Sequence, residues 1–386
     1  MTDLCARTCE MFRKVIISVV ALLLSFSALA QNDKLYLDAN FNFEFDNTEY
    51  SGSNIAQSGT FFCVALDPVL RYQWNEKHNL GAGVNLQKLF GSPKFIDTIN
   101  FIAFYQFQNE KYGALAGIFR REQLIGRYTE AFFRNAWWAD RSVVQGLALQ
   151  HTSDKGYAEL SVDWDGLYSK ERREQFRVLF SGEGRFAKIM YAGATASLHH
   201  YANRADFRYN VVDDMLINPY VGVEFNAFFD FDINLGYLQS LQQDRLAGEG
   251  WKAPMGGELF FRMSRWGAYI SNNLYVGKDL MPLYNSMGME GTPYGADLYA
   301  GDPFYRTESG IYNRTGIGYE RNFWKERIKV KAEFVLKTDG EKVYNQQIIS
   351  LAVNLSPKLY DKDERRKTKD ERREINKHDK TTKQNK

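Results

Sequence analysis

From Leu35 to Asp46 apolar and polar side chains alternate. Leu35, Leu37, Ala39, Phe41, Phe43 and Phe45 make one series, and Asp38, Asn40, Asn42 and Glu44 the other. Successive side chains of a strand point to opposite faces, so this stretch has one greasy face and one polar face. The same period returns in about sixteen stretches. They lie near residues 34–46, 60–74, 79–90, 98–108, 113–121, 142–152, 157–165, 175–184, 187–199, 215–226, 231–242, 254–264, 267–277, 309–320, 327–337 and 344–355. Helix-period segments are nearly absent. The pattern predicts an all-β fold: one closed antiparallel transmembrane β-barrel, apolar toward lipid and polar toward its lumen, with the even strand count of single-chain bacterial barrels.

Connection lengths sort in the same way. Asn75 to His78, Ser153 to Gly156 and Ser264 to Trp266 are tight turns after even strands. Asn47 to Gly59, Glu122 to Arg141, His200 to Asp214, Gln243 to Lys252 and Lys278 to Glu308 follow odd strands and are longer. Outer-membrane barrels are built this way, with short turns in the periplasm and long loops outside. Trp74, Tyr112, Trp266 and Trp324 fall at or beside short turns, and Trp164 closes a strand at the opposite end, so these five form the expected aromatic girdle.

Parity also assigns the lumen. A charge facing lipid near the midplane costs roughly 2–4 kcal/mol, so charged positions must point inward. The acidic lumen set is Asp38, Glu44, Asp67, Glu159 and Asp163, and the basic set is Arg262, Arg314, Lys329 and Lys331. In a closed wall these occupy different sectors and set up a transverse field, unless opposite charges simply pair within the wall. The longest connection carries Tyr294, Asp297, Tyr299, Asp302, Phe304 and Tyr305, which narrow the channel if the loop folds inward and form an external cap if it does not. Inward folding keeps the rings out of water. Asn272 and Asn313 land on the nominal lipid face, which suggests a bulge, a register error or a subunit contact.

Ahead of the first strand, Phe12-Arg13-Lys14, the apolar run Val15 to Leu24 and the small residues of Ala28-Leu29-Ala30 read as a secretory signal peptide cleaved near Ala30. Met11 is an alternative start, and the first ten residues then carry Cys5 and Cys9 away. Cys63 alone remains, read as a small inner-face side chain and not as a disulfide partner. Net charge is +2 over 386 residues, which implies no nucleic-acid partner. The segment after Leu355 is different: from Lys358 it holds twelve basic and seven acidic side chains. It reads as a solvated tail, or as a tether to an acidic periplasmic partner. Aromatics at 15% and a mean hydropathy of −0.44 suit a barrel in which only alternate residues face lipid.

Enzyme chemistry is poorly marked. No Gly-rich phosphate loop, metal-spaced Cys and His set or serine nucleophile motif is present, and neither cofactor nor metal is expected. The best catalytic candidate, with Cys63 as a nucleophile a remote alternative, is the connection bounded by His199-His200 and Asp213-Asp214, which resembles in two dipeptides the rim His and carboxylate arrangement of omptin-type outer-membrane proteases. Those barrels have fewer strands.

Leader, strand pattern, sorted loops and girdle together resemble the porin architecture of Gram-negative outer membranes over residues 34–355. More narrowly, Gly117-Ile118-Phe119-Arg120-Arg121, Tyr294 to Tyr299 with Phe304-Tyr305-Arg306, and Gly310 to Arg314 resemble segments of uncharacterised Bacteroidota outer-membrane barrels. The resemblance implies location and fold. One departure is that the last strand ends on Leu355, without the terminal aromatic that the barrel-assembly machinery reads in many such proteins. The expectation is a non-enzymatic, porin-like channel in the outer-membrane lipid that passes small polar solutes. The alternatives are a non-conducting receptor or envelope anchor, and a hydrolase acting at the rim.

Overall fold

The computed structural model describes residues 33–135, 141–206, 211–288 and 291–361, so the leader and most of the charged tail lie outside the described residues. The first eight strands are β1 Lys34–Glu49, β2 Gly59–Trp74, β3 His78–Leu89, β4 Thr98–Gln108, β5 Tyr112–Arg120, β6 Val143–Ser153, β7 Gly156–Gly166 and β8 Gln175–Arg185. The next eight are β9 Met190–Tyr201, β10 Val212–Asn226, β11 Asp230–Asp244, β12 Met255–Arg265, β13 Ala268–Gly277, β14 Ile311–Phe323, β15 Ile328–Thr338 and β16 Val343–Leu355. Each strand pairs antiparallel with the next, and β16 pairs with β1 from Ala39↔Leu355 to Glu49↔Asn345. The sheet is therefore closed, and no backbone donor or acceptor row is left at an edge. All sixteen expected strands are present, with ends within three residues of those predicted. After Pro357 a short β17, Lys358–Asp361, continues along the start of β1. Among the described residues helix is limited to a single turn, α1 Gly295–Leu298, and two 3-10 turns at Arg121–Gln123 and Pro303–Arg306.

Turn chemistry fixes the short ends. Trp266 and Gly267 form the two-residue link between β12 and β13, both at positive φ (54° and 94°). That conformation matches the twist of the flanking strands, and the glycine takes it without steric cost. It leaves Trp266 exposed at the barrel end, where Tyr112 and Trp324 are exposed as well, with Trp74 beside the next short turn. Trp164 faces outward near the other end, stacked on Phe176 with ring centroids 5.1 Å apart.

The alternation partitions as the pattern requires. Leu160, Phe180, Phe334 and Leu66 are exposed on the outer surface, while Glu159, Ser161 and Asp163 of the same strand β7 are buried toward the lumen. This exterior is the apolar belt of a transmembrane barrel. Asn272 and Asn313 do face outward, and their pairing shows no register shift. The two amides donate to each other's carbonyls at 3.1 and 3.2 Å, and Asn272 also donates to Thr315 at 2.8 Å. Self-satisfaction is what lets them sit there, since an unpaired amide in an apolar medium costs several kcal/mol. Leu160→Arg, on this belt, is expected to cost about 2–4 kcal/mol. The check is a lower denaturant midpoint for refolding into lipid vesicles.

Inside, the barrel is filled. Described parts of the β5–β6 and β13–β14 connections enter the lumen and bond to each other, Arg134 N donating to Ala300 O at 2.8 Å and Asp302 N to Glu130 O at 2.8 Å. Around them Phe132, Phe133, Tyr299, Phe304, Tyr305 and Tyr312 form a buried aromatic core with Tyr50 and Tyr344. Each such ring, taken from water, contributes roughly 1.5–3 kcal/mol.

Candidate functional site

Two places collect chemistry, the lumen wall and the outward rim at the long-loop end. In the lumen each predicted charge has a specific partner. Asp38 accepts from Arg71 at 2.7 Å, Asp67 from Asn85 at 2.6 Å and Glu44 from Asn135 at 3.3 Å. Glu159 accepts from the backbone N of Ile125 and Gly126 at 2.6 and 3.1 Å, and from Tyr128 and Gln150 at 2.9 and 2.8 Å. Burial, with the Glu159 carboxylate beside it, holds the Tyr128 phenol well above its ordinary pKa, so it remains a donor. Arg121 donates to Asp163, both fully buried. Arg314 bridges Glu130 at 3.0 Å and Glu333 at 3.1 Å, while Lys331 reaches Glu333 at 2.9 Å and Lys329 reaches Glu320 at 3.3 Å. Arg262 stacks its guanidinium 3.9 Å from the Tyr269 ring centroid.

The long-loop residues are placed among these groups. Tyr294 donates to Asp244 at 2.6 Å, Tyr299 to Gln242, and Tyr305 to Glu258. Lys337 donates to Asp302, a pair only a few per cent exposed, and Phe304 and Tyr305 are completely buried. Asp297 borders a cavity near the rim. Two cavities remain against the β1 and β2 wall, one of about 690 Å³ touching Asp46 and Lys337 and one of about 400 Å³ touching Glu44, Asp67, Lys329 and Lys331. Asn135 lines the first and bonds to both Asp46 of the first and Glu44 of the second. Cys63 is buried in the wall of the second cavity.

The rim holds a different arrangement. Strand β9 runs to Tyr201 and β10 begins at Val212, so the two dipeptides are direct cross-strand neighbours, His200↔Asp213 and His199↔Asp214. Alternation then separates them. His199 and Asp214 point inward, where His199 is buried with its Nδ1 2.9 Å from Leu298 O. His200 and Asp213 point outward. His200 Nδ1 lies 3.3 Å from Asp213 Oδ1, and Arg245 clamps the same carboxylate with Nε to Oδ2 at 2.7 Å and Nη2 to Oδ1 at 3.0 Å. A carboxylate only accepts, so the bonded Nδ1 carries a proton, and Nε2 is the ring nitrogen not committed to Asp213.

This pair belongs to a row. Register aligns Trp164, Phe176, His200, Asp213 and Gln243 across β7 to β11, with the Phe176 and His200 rings stacked at 5.0 Å. The next outward row is Val162, Val178, Leu198, Met215 and Leu241, and the one after it is Leu160, Phe180, Ala196, Ile217 and Gln239. His200 therefore sits in an outward row at the end of the strands, with largely apolar rows next to it. Among the described residues no serine, threonine or cysteine bonds to it. Reading residues 200–214 as one loop hid this geometry; the available signal was that both dipeptides continue their strands' alternation.

Among curated proteins, none matches the chain. Solved structures with similar coordinates include the outer membrane protein OprD from Pseudomonas aeruginosa, with 9% identity, 86% of this chain and 96% of that one covered, and a TM-score of 0.46. They also include OpdK from the same organism (8%, 84% and 99%, 0.47) and a variant of the porin of Rh. blastica (11%, 83% and 100%, 0.42). No TM-score here reaches one half, and the barrel is established by this chain's own strand pairing. Residues 28–234 match the model of a family described as Lipid A 3'-O-deacylase-type, and a deacylase is a hydrolase. This match corrects the expectation of a non-enzymatic barrel, which arose because no nucleophile motif stands in the sequence. Matched over more than half its length, the chain belongs to the Lipid A 3'-O-deacylase-type family.

Proposed function

We propose that the protein is an outer-membrane hydrolase that removes an ester-linked acyl chain from a lipid A-type glycolipid. The observation that carries this reading is the outward-facing His200, Asp213 and Arg245 set above continuous apolar rows. A glycolipid in the outer leaflet can lay its acyl chains on those rows and bring its ester carbonyl level with His200. His200 Nε2 takes a proton from water as the water oxygen bonds to the carbonyl carbon. The tetrahedral intermediate then collapses, the bond from carbonyl carbon to sugar oxygen breaks, and the imidazolium returns the proton to that oxygen. The products are a free fatty acid and a sugar hydroxyl. Asp213 keeps the proton on Nδ1 and stabilises the imidazolium, as the carboxylate of an Asp-His pair does. Arg245 holds Asp213 in place through two hydrogen bonds.

The test is incubation of the folded protein with lipid A in mixed micelles, followed by mass analysis. Loss of one ester-linked chain with stoichiometric free fatty acid is expected. Intact lipid A after prolonged incubation with correctly folded protein counts against the reading.

A second reading, passage of small polar solutes, is favoured by one observation. Two cavities border the β1 and β2 wall, Asn135 of the first bonds Glu44 of the second, and the second is lined by charges of both signs. The signal peptide, the barrel-assembly route and any periplasmic partner of the basic tail belong to the same outer-membrane picture.

A further inference from the structure

One cavity near the rim is not used by the chemistry above. It has a volume of about 400 Å³ and takes Arg141, Arg172, Arg173 and Arg204 from the β5–β6, β7–β8 and β9–β10 connections. Its acidic members are Asp165, Glu171 and Asp297. Asp165 is already engaged by Arg141 at 3.2 Å and by Arg177 at 3.4 Å, which adds a fifth guanidinium behind the cavity. Glu171 is exposed, and its backbone N is held by Ser169 Oγ. Arg173 is buried, its Nη1 donating to Ala202 O at 3.1 Å and its guanidinium 4.6 Å from the Tyr201 ring centroid, so its position is fixed by the wall. Arg204 has Asp206 at 3.6 Å, and Arg172 is exposed at the mouth. Planar guanidinium groups converging from three connections match the oxygens of a phosphate, which they bind in bidentate fashion.

Placement gives this cavity its meaning. Gln175 and Tyr201 line it, and they are register partners at the very ends of β8 and β9. The adjacent residues Phe176 and His200 are partners too, on the outward face. The arginine cavity and the histidine base are thus one residue step apart, about 3.4 Å along the strands, on the two sides of one lip of the barrel. A sugar headgroup leaning over that lip reaches both.

We infer that the arginine cavity binds a phosphate monoester on the headgroup of the glycolipid whose acyl ester faces His200. This rests on the proposed hydrolase reading, and it assigns Arg172 and Arg204 as positioning residues.

The experiment uses the full-length His200→Ala protein in detergent micelles, so that binding is read without turnover. Native mass spectrometry compares bisphosphorylated lipid A with the same lipid after phosphatase treatment. The phosphorylated lipid is expected to bind about tenfold or more tightly, the scale of one hydrogen bond to a charged group. Arg172→Gln with Arg204→Gln should abolish that preference, whereas Arg185→Gln, at the opposite end of β8, should keep it. Equal binding of the two lipids, or a preference that survives the double substitution, overturns the inference. Inorganic phosphate at millimolar concentration should not displace the lipid; displacement makes the cavity a free-anion site and overturns the headgroup assignment. The two readings separate cleanly. If wild-type protein releases no acyl chain yet the arginine-dependent preference holds, the catalytic reading falls and the cavity stands. If hydrolysis occurs with no phosphate preference, the cavity falls alone.

Discussion

His200→Ala is expected to lower the rate of acyl release from lipid A by roughly 10²- to 10⁴-fold, the usual contribution of a positioned general base. The loss should appear in kcat with little change in KM, because His200 acts on the water proton and the apolar rows beneath it hold the chain. The substitution leaves the barrel intact: His200 faces outward, with its side chain 24% exposed, and among the described residues it stacks on Phe176. A normal shift of the folded band on unheated electrophoresis confirms that. Asp213→Asn should fall in the same direction. An amide can donate to Nδ1, which moves the imidazole proton to Nε2 and removes the base. If His200→Ala retains most of the wild-type rate, the chemistry is not on this row.

Replacing residues 279–308 by a short Gly-Ser linker is expected to convert a poorly conducting barrel into a large, steady pore in planar bilayers. The excision is geometrically permissible because the strands on either side already meet. Val276 pairs with Ile311, and Gly277 N donates to Gly310 O at 2.9 Å. What is lost is the material that fills the lumen, including the buried rings of Phe304 and Tyr305 and the Asp302 carboxylate on Lys337. Lys337→Met is the milder version. It leaves the buried Asp302 carboxylate without its cation at a cost of about 3–5 kcal/mol, so the loop should undock intermittently and the conductance should flicker. Single-channel recording distinguishes steady opening, flicker and silence. Unchanged conductance after the excision means that the remaining 121–142 segment alone seals the barrel.

The sequence and the structure agree where one rule applies residue by residue. The parity that put Leu160 outside and Glu159 inside is visible along β7 and β15, since the two solvents differ by several kcal/mol per misplaced charge. It also placed Asn272 and Asn313 outside and suggested a bulge, a register error or a subunit contact; the pairing there has no register shift, and mutual hydrogen bonds satisfy the two amides. The catalytic candidate was visible as two dipeptides and nothing more. Alternation gives His199 and His200 different environments, but only the β9 and β10 register says which carboxylate each one meets. Arg245 and the arginine cavity left no trace in spacing, because their members come from separate connections.

By itself, then, the chain's two-residue period determined a closed membrane barrel, its strand number and the face of nearly every strand residue. That information is local, since each side chain is sorted by the solvent its own parity exposes it to. Three matters were decided only by the tertiary structure: that two connections occupy the lumen, that His200, Asp213 and Arg245 share one outward row, and that four arginines converge behind it. These depend on which strand ends and loops are brought side by side when the sheet closes, and closure joins residues that the sequence holds far apart.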